Sequence, residues 1–382
     1  MIYLDHNATT PLDPRVLEAI FPYLTEEYGN ASSYHQMGRA AREAVEAARA
    51  TTAACLGARP EEIVFTAGGT EADNLALRGV TAALRHRGRH LVTVATEHHA
   101  VLRTCESLAD DGWEVTLLPV DGEGLVEPEA VKRALRPDTV LVSVMAANNE
   151  TGVIQPLARI SEVARQAGVL IHTDAVQAVG KIPVDMEGLG VDLLSLAGHK
   201  VYGPKGVGAL YVRSGTPLIS PLTGGPHEKG RRAGTENVAA IVGLAEALRL
   251  RREAGPSEAV HLAALRDRLE QGVLARLDGV KVNSGSGPRV ANTSSLSFRA
   301  VDGESVLLHL DLAGICAATG SACTTDSPEP SHVLLAMGLE PRLAQGTVRF
   351  SLGHGNTAAQ IDQVVEALVE IVPRLRAIST FT

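Results

Sequence analysis

Hydrophobic and polar residues follow two periods along the first two thirds of the chain. Short apolar runs such as "EIVFTAG", "RHLVTVAT", "TVLVSVMA" and "VLIHTDA" are typical of buried strands. Stretches with the spacing of amphipathic helices, such as "TEADNLALRGVTAALR" and "LARISEVARQAG", separate these runs. Strands and helices that alternate in this way predict an α/β domain with a mostly parallel sheet that is covered on both faces.

The pattern changes in the charged stretch "RLRREAGPSEAV", which contains Gly255 and Pro256. A helical pattern from Glu258 to Leu277 follows, then the segments "NTSSLSF", "ESVLLHLDLAG" and "TVRFSLG", and a closing helix "AAQIDQVVEALVEIVPRLRAI". This order predicts a smaller α+β domain. We therefore expect an N-terminal segment (1–14) that packs with the small domain, a large domain (15–255) and a small C-terminal domain (256–382).

Composition narrows the classes of protein that this chain can represent. Its 382 residues, of which 45% are hydrophobic, suffice for more than one core. A net charge of −9 without a Lys/Arg-rich run argues against nucleic-acid binding. The start "MIYLDHNATTPLDP" lacks the features of a signal peptide, and no apolar run reaches the length of a membrane span. With four cysteines and no C-x-x-C pair, we expect a reduced, cytoplasmic protein.

Lys200 is the first candidate for chemistry. It lies between the apolar runs "VDLLSLA" and "GVGALYV", so we expect it at a strand end with restricted access to solvent. Desolvation lowers the pKa of a lysine and makes its amine a usable nucleophile. Such an amine can form a Schiff base with an aldehyde cofactor. The alternative is an ordinary surface lysine on a loop.

Asp174 is the second candidate, because it stands at the carboxyl end of the apolar run "VLIHTDA". Ligands of open α/β sheets bind outside this end of the strands. Pyridoxal phosphate needs a carboxylate against its ring nitrogen, because the protonated ring is the better electron sink. A carboxylate that only caps a helix is the alternative interpretation.

The stretch "FTAGGTEADNLAL" supplies a candidate phosphate site. A strand leads through Gly68, Gly69 and Thr70 into a helix, which aims free backbone N–H groups at one point. Hydrogen bonds and the helix dipole both favour a phosphate there. A glycine turn alone is weak evidence, since many strand–helix connections use glycine.

Together with these features, ten motifs resemble the NifS/IscS-type cysteine desulfurases of the class V aminotransferase superfamily. The motifs are "YLDHNATTP", "GNASSYHQMGR", "FTAGGTEADNLAL", "TEHHAVL", "NNETGVIQP", "DAVQAVGK", "GHKVYGPKGVGALYV", "RAGTENV", "GSACTTDSPEPSHVL" and "VRFSLG". The resemblance implies the pyridoxal-phosphate-dependent transferase fold of type I and a homodimer. It also implies conversion of L-cysteine to L-alanine with an enzyme-bound persulfide that supplies sulfur for iron–sulfur clusters and other cofactors.

The resemblance implies roles around the cofactor ring. Lys200 is similar to the catalytic Schiff-base lysine, and Asp174 to the partner of the ring nitrogen. Gln177 resembles the hydrogen-bond donor to the phenolic oxygen of the ring. His98 is similar to the catalytic histidine that stacks on the ring and moves protons, and Asn149 to the asparagine near that oxygen and the substrate.

The resemblance also implies contacts to the cofactor phosphate and to the substrate. Gly69, Thr70 and His199 match the phosphate site, and Thr235 matches a phosphate ligand donated by the other subunit. Arg349 is similar to the arginine that binds the substrate carboxylate, a task for which the guanidinium fork is suited.

Cys323 lies in "AATGSACTTDSPEPSHV", where glycine and proline favour a loop. A free cysteine is usually buried, so its place in a loop indicates a function. The segment resembles the longer catalytic loop of the IscS-like group, which makes Cys323 the persulfide carrier. We expect Cys316 to be a buried strand residue, and Cys55 and Cys105 to lie on apolar helix faces.

The chain also departs from the family pattern. Ala197 in "SLAGHK" replaces a phosphate-binding serine, so we expect weaker retention of the cofactor but not loss of activity. His354 replaces a common arginine and has no role assigned by sequence. The chain ends at "RLRAISTFT", without the longer tail that helps some relatives dock a scaffold protein, which leaves the choice of partner open.

Several alternatives remain at this point. The chain could be a selenocysteine lyase or another pyridoxal-phosphate enzyme of this fold, or a non-catalytic sulfur-assembly scaffold. Lys200, Asp174, Arg349 and Cys323 together argue against the scaffold. An iron–sulfur scaffold, a tRNA-thiolation protein or a carrier for cofactor biosynthesis could each accept the sulfur.

Overall fold

A computed structural model describes residues 1–320 and 329–379. Its strands are β1 Ile2–Tyr3, β2 Ile63–Thr66, β3 His90–Val94, β4 Glu114–Leu118, β5 Thr139–Ser143, β6 Leu170–Asp174, β7 Leu193–Ala197, β8 Gly208–Val212, β9 Pro226–His227, β10 Arg232–Ala233, β11 Val280–Val282, β12 Thr293–Phe298, β13 Ile315–Cys316 and β14 Thr347–Ser351. Its α-helices are α1 Pro14–Thr25, α2 Gln36–Leu56, α3 Gly69–Leu84, α4 His99–Asp110, α5 Pro128–Ala134, α6 Leu157–Gln166, α7 Met186–Leu189, α8 Val238–Leu274, α9 Gly303–Leu312, α10 His332–Ala336, α11 Pro341–Gln345 and α12 Ala358–Ile378.

The main sheet has the strand order β2-β8-β7-β6-β5-β3-β4. Strands β4, β3, β5, β6 and β7 are parallel to one another, whereas β8 runs antiparallel between β7 and β2. The short connection 198–207 explains this reversal, because a parallel return needs a crossover of a dozen or more residues. The predicted α/β class with a mostly parallel sheet is therefore confirmed.

Neighbouring residues of the central strands enter two different hydrophobic cores. Leu91, Leu141 and Leu193 pack on one face of the sheet with helices α3 and α4. Val92 and Val142 pack on the other face, with helices α2, α6 and the first half of α8. Burial on both faces is why these strands are almost continuously apolar in sequence.

A second hydrophobic core lies towards the C-terminus. The antiparallel sheet β11-β12-β14 packs there with α9, α12 and the second half of α8. The N-terminal segment joins this core, since β1 pairs with β13 and Asp5 forms a bridge with Ser351. The domain limits at residues 14 and 255 stay a prediction.

The expected break near residue 255 is a kink inside α8. Gly255 has φ 57° and ψ −156°, and Pro256 follows it, but the helical path continues to Leu274. An ion pair between Arg251 and Glu258, at 2.6 Å, spans the kink. The charged stretch that marked a boundary in sequence is thus a hinge-like turn within a helix, and the helix ends three residues before the predicted Leu277.

Among the helices of residues 1–320 and 329–379, none combines the length and apolar character that crossing a membrane requires.

Candidate active site

A cavity of about 360 Å³ opens at the carboxyl ends of β6 and β7. Nine of the residues predicted for the site line it: Gly69, Thr70, His98, Asn149, Asp174, Gln177, His199, Lys200 and Arg349. They come from segments that are up to 280 positions apart in sequence (349 − 69). The fold therefore brings them together, and their individual roles stay predictions.

The N-terminus of α3 forms one end of this cavity, beside His199 and Ala197. Glycine is required at position 69, because a Cβ there would lie 2.7 Å from a methyl carbon of Val176. The backbone N–H groups of the first turn have no helical partners of their own. This end of the cavity therefore suits a phosphate group.

Asp174 lines the cavity at the end of β6, and one of its oxygens accepts a 2.9 Å hydrogen bond from the backbone N–H of Val176. Burial raises the pKa of its carboxyl group, while nearby His98, that N–H and Lys200 act in the other direction. A buried carboxyl group in this situation is well placed to hold a cation such as a protonated ring nitrogen.

Two further buried acids, which sequence reasoning missed, stand beside Asp174. Asp73 on α3 is 1% exposed, and burial and the charge of Asp174 raise the pKa of its carboxyl group well above the usual range. Burial and Asp174 likewise raise the pKa of Glu97. Burial thus favours the neutral form of both acids, while His98, the N–H of Val176 and Lys200 act to keep the pKa of Asp174 lower. Ligand atoms of Asp73, His98 and Asp174 lie within 4.8 Å of one another.

Lys200 ends a short 3₁₀ turn that follows β7. Its Nζ donates hydrogen bonds to the backbone carbonyls of Asn7 at 2.6 Å and Ala8 at 2.8 Å. These two carbonyl oxygens position the amine at the cavity.

His98 caps the N-terminus of α4, where its Nδ1 accepts a 3.1 Å hydrogen bond from the backbone N–H of Ala100. Burial lowers the pKa of the ring, so the neutral form dominates near pH 7. Because Nδ1 is the acceptor, the proton of the neutral ring lies on Nε2. His98 can thus donate or take a proton at a single defined atom.

Arg349 on β14 is 3% exposed and reaches the cavity from the three-stranded sheet β11-β12-β14. One terminal nitrogen binds Asp5 at 2.8 Å, and the other binds the carbonyl of Asn149 at 3.2 Å. Its Nε is buried and has no hydrogen-bond partner among the described residues. A buried donor of this kind calls for an acceptor, and the carboxylate of an amino acid would provide one.

Two predicted residues are not placed in this cavity. Thr235 is exposed and does not line it within the described part of the chain. Cys323 lies outside the described residues. Cys316 belongs to β13 as expected, but it is only partly buried, so the expectation of a buried residue is not met. Cys105 is buried on α4, and Cys55 is partly buried on α2.

Glu150 is another residue that sequence reasoning missed. Its carboxylate accepts a hydrogen bond from the hydroxyl of Ser331. A Cβ at position 320 would lie only 2.1 Å from the same carboxylate oxygen, so a larger residue there would displace this carboxylate. Ala318 and Arg349 also exchange backbone hydrogen bonds. Both ends of the segment around Cys323 are therefore tied to groups beside the cavity.

His354, which had no role in sequence, packs against Tyr202 with ring centroids 4.3 Å apart. The guanidinium of Arg251 also lies against Tyr202, 4.6 Å from the ring centroid. His354 therefore contributes to an aromatic and cationic stack around Tyr202, and it is not among the described residues that line the cavity.

The donor set fits pyridoxal phosphate. The α3 N-terminus and His199 would hold its phosphate, Asp174 its ring nitrogen, Gln177 its phenolic oxygen and Lys200 its aldehyde carbon. The neutral His98 ring supplies a flat face in the same cavity.

A comparison with protein families matches residues 2–364 to the model of the class-V aminotransferases. The cysteine desulfurase IscS of Dictyoglomus turgidum is 48% identical over 380 residues, which cover 100% of this chain and 96% of that protein.

Solved structures show the same similarity. A NifS-like protein has a TM-score of 0.92 and 39% identity, covering 98% of this chain and 100% of its own. A structure of SspA in complex with cysteine has a TM-score of 0.82 and 37% identity, covering 92% of this chain and 99% of its own.

Proposed function

Because the chain belongs to the class-V aminotransferases and is a pyridoxal-phosphate-dependent cysteine desulfurase, we propose that the cavity described above converts L-cysteine to L-alanine and passes the sulfur to Cys323. One observation carries this assignment: Lys200, Arg349 and Gly320 line the same cavity. Gly320 precedes Cys323 by three positions, and three residues of chain span at most about 11 Å.

Arg349 binds and orients the substrate. Its buried Nε has no partner among the described residues, and its terminal nitrogens are held by Asp5 and the carbonyl of Asn149. The carboxylate of L-cysteine completes the hydrogen bonding of the guanidinium. Because the guanidinium is fixed by two other contacts, the amino acid is held in a defined orientation.

When bound, pyridoxal phosphate supplies an electron sink for the bonds around the α-carbon. Lys200 would hold the cofactor through Nζ, and its free amine would accept the α-proton of the substrate at the same atom. Asp174 would hold the protonated ring nitrogen, and burial raises the pKa of the neighbouring acids Asp73 and Glu97, which favours their neutral forms beside it. His98 carries a proton at Nε2 for transfer to or from the substrate.

The sulfur step is balanced without an added oxidant. The thiolate of Cys323 attacks the sulfur of the substrate, so an S–S bond forms and the Cβ–S bond breaks. The bonding electrons remain on Cβ, which takes a proton and yields the methyl group of alanine. Cysteine and an enzyme thiol thus become alanine and an enzyme persulfide.

Mass spectrometry after incubation with L-cysteine tests this function. We expect one added sulfur on the peptide that contains Cys323 and an equal amount of alanine. Sulfur on another cysteine with Cys323 unmodified would contradict the assignment.

The proposal includes a homodimer in which Thr235 reaches the phosphate site of the other subunit. Thr235 is exposed, and Ile219 and Leu222 nearby in sequence are also exposed, at 54% and 49%. These side chains would be covered by a second copy. Light scattering should give twice the monomer mass, and Thr235→Ala should weaken cofactor retention without changing that mass.

It also includes a cytoplasmic enzyme that delivers sulfur to an iron–sulfur scaffold protein. Free thiols at Cys55, Cys105 and Cys316 fit a reducing compartment. Transfer of labelled sulfur from the persulfide to a purified scaffold, compared with a tRNA-thiolation protein and a cofactor-biosynthesis carrier, distinguishes the acceptors.

A further inference from the structure

The side-chain amide of Asn7 has only one orientation that its surroundings allow. Its Nδ2 lies 3.1 Å from the backbone carbonyl of Asn149, which can only accept a hydrogen bond. Its Oδ1 faces two donors, Lys181 Nζ at 2.8 Å and Asn292 Nδ2 at 3.1 Å. If the amide were flipped, its Oδ1 would face the carbonyl oxygen of Asn149, and its Nδ2 would face the Nζ donor of Lys181. Asn7 is therefore a fixed acceptor for Lys181.

Lys181 carries this constraint to Gln177. Its Nζ donates to the Oε1 of Gln177, four residues earlier, in addition to Asn7. Burial, with the nearby charges of Lys200 and Arg349, lowers the pKa of Lys181. The neutral and the charged amine both keep two N–H donors, so both contacts survive either protonation state.

The orientation of Gln177 follows from these contacts. With Oε1 bound to Lys181, its Nε2 points to the backbone carbonyl of Asn7 at 2.9 Å. In the opposite orientation, the Nε2 donor of Gln177 would face the Nζ donor of Lys181, and its Oε1 acceptor would face the carbonyl oxygen of Asn7. Nε2 carries a second N–H, so Gln177 presents a donor to the cavity that it lines.

We propose that Lys181 is a positioning residue that fixes the carboxamide of Gln177 so that its N–H serves the phenolic oxygen of the cofactor. This inference rests on the proposed function, which places pyridoxal phosphate in the cavity. Lys181 does not line this cavity itself, but it determines which end of the Gln177 carboxamide, the N–H donor, faces the cavity.

A double-mutant cycle on the purified holoenzyme tests it. The readout is the pH midpoint of the absorbance change of the bound cofactor, measured for Lys181→Met, Gln177→Leu and the double variant. Each single change should raise the midpoint by about one pH unit, since the phenolic oxygen loses one charge-assisted donor. If Lys181 acts through Gln177, the double variant shifts no further than Gln177→Leu alone.

Folding is not expected to obscure the result. Asn7 keeps the donor from Asn292 when Lys181 is replaced, and methionine fills the volume of the lysine stem. Lys181→Gln serves as a second variant that restores one donor, and it should give a smaller shift than Lys181→Met. Lys132→Met, on the exposed face of α5, is the matched control and should leave the midpoint unchanged.

The outcomes separate the two proposals. A wild-type protein that shows no cofactor band, or forms no persulfide, refutes the proposed function. A normal wild type whose two single shifts add in the double variant shows that Lys181 acts by its charge alone, which overturns the positioning role. No shift in Lys181→Met overturns it as well.

Discussion

Replacing Arg349 is the most direct test of how the substrate is held. Arg349→Gln removes the guanidinium that is 3% exposed and leaves its other neighbours in place. We expect loss of the contact to the amino-acid carboxylate, while the absorbance of the bound cofactor stays unchanged. The proposed cofactor contacts come from other side chains that line the cavity, chiefly Lys200, Asp174 and Gln177.

The size of the effect follows from the burial and partners of the guanidinium. Removing one member of a buried, hydrogen-bonded charge pair costs about 2 to 5 kcal/mol. Asp5 already neutralises part of the charge of Arg349 at 2.8 Å, so the lower part of that range applies. Since about 1.4 kcal/mol corresponds to a factor of ten, kcat/KM for L-cysteine should fall about 30- to 300-fold. Arg349→Lys keeps the charge but loses the forked geometry, and should lose about tenfold.

The assay is alanine release at several L-cysteine concentrations, with the cofactor spectrum recorded on the same samples. Arg374→Gln makes the same charge change on α12, where the side chain is 76% exposed, and should leave kcat/KM unchanged. Asp5→Asn combined with Arg349→Gln removes the carboxylate that the single change leaves unpaired. If Arg349→Gln retained kcat/KM within about threefold of wild type with a normal spectrum, substrate binding by Arg349 would be refuted.

Four further changes have defined outcomes. Cys323→Ser should abolish persulfide and alanine formation and keep the cofactor absorbance; normal alanine release would contradict the mechanism. Ala197→Ser should slow cofactor dissociation about two- to tenfold by adding one hydrogen bond, and an unchanged dissociation rate would contradict it. Glu150 lies against Ser331 and Gly320, at the ends of the segment that contains Cys323, so we expect it to affect only the sulfur step. Glu150→Ala should reduce persulfide formation at least about tenfold while α-proton exchange of L-alanine persists, and Glu150→Gln should retain most of both reactions. Equal loss of both reactions in Glu150→Ala would refute a role limited to the sulfur step. Burial lowers the pKa of His172 from 6.5 to about 3, so the unfolded state binds an extra proton between these pH values and stability falls as pH is lowered through them. Between pH 6.5 and 4.5 that loss should be about 2 kcal/mol, and urea unfolding of His172→Gln should show a smaller loss than wild type.

The strand and helix pattern was predictable because it depends on local spacing. Continuous apolar runs indicated strands buried on both faces, and Leu91 and Val92 indeed enter opposite cores. The kink at Gly255 was visible as a change in composition, but its meaning was not. Whether a Gly-Pro pair ends a helix or only bends it depends on contacts such as the Arg251–Glu258 ion pair, which no local pattern encodes.

The candidate site was predictable where a residue's position in a strand limits its environment. Asp174 ends one buried strand and Lys200 follows another, and that position predicted candidate chemistry for both, with a helix cap and a surface lysine as the alternatives. His98, Asn149 and Arg349 were found only through resemblance to a family, because nothing local distinguishes them from structural residues.

Asn7, Lys181 and Glu150 were missed for a physical reason. Their importance lies in tertiary hydrogen bonds, such as Lys181 to Asn7 across 174 positions and Ser331 to Glu150 across 181. An acid or amide in sequence gives no sign of which partner it will meet. The one available signal was a lysine closely following Gln177 in the motif "DAVQAVGK", which is unusual beside a buried strand.

The N-terminal segment connects the two halves of the site through the backbone carbonyl of Asn7 and the side chain of Asp5. The carbonyl of Asn7 accepts hydrogen bonds from both Lys200 and Gln177, and the neighbouring Asp5 binds Arg349. The amine proposed to hold the cofactor and the guanidinium proposed to hold the substrate thus both bind to the three-residue stretch 5–7. Since β1 pairs with β13, that stretch is anchored in the core that also carries β14 and Arg349. A displacement of this core relative to the main sheet would therefore change the distance between Lys200 and its carbonyl acceptors, so the reactivity of the lysine depends on how the two cores are packed together.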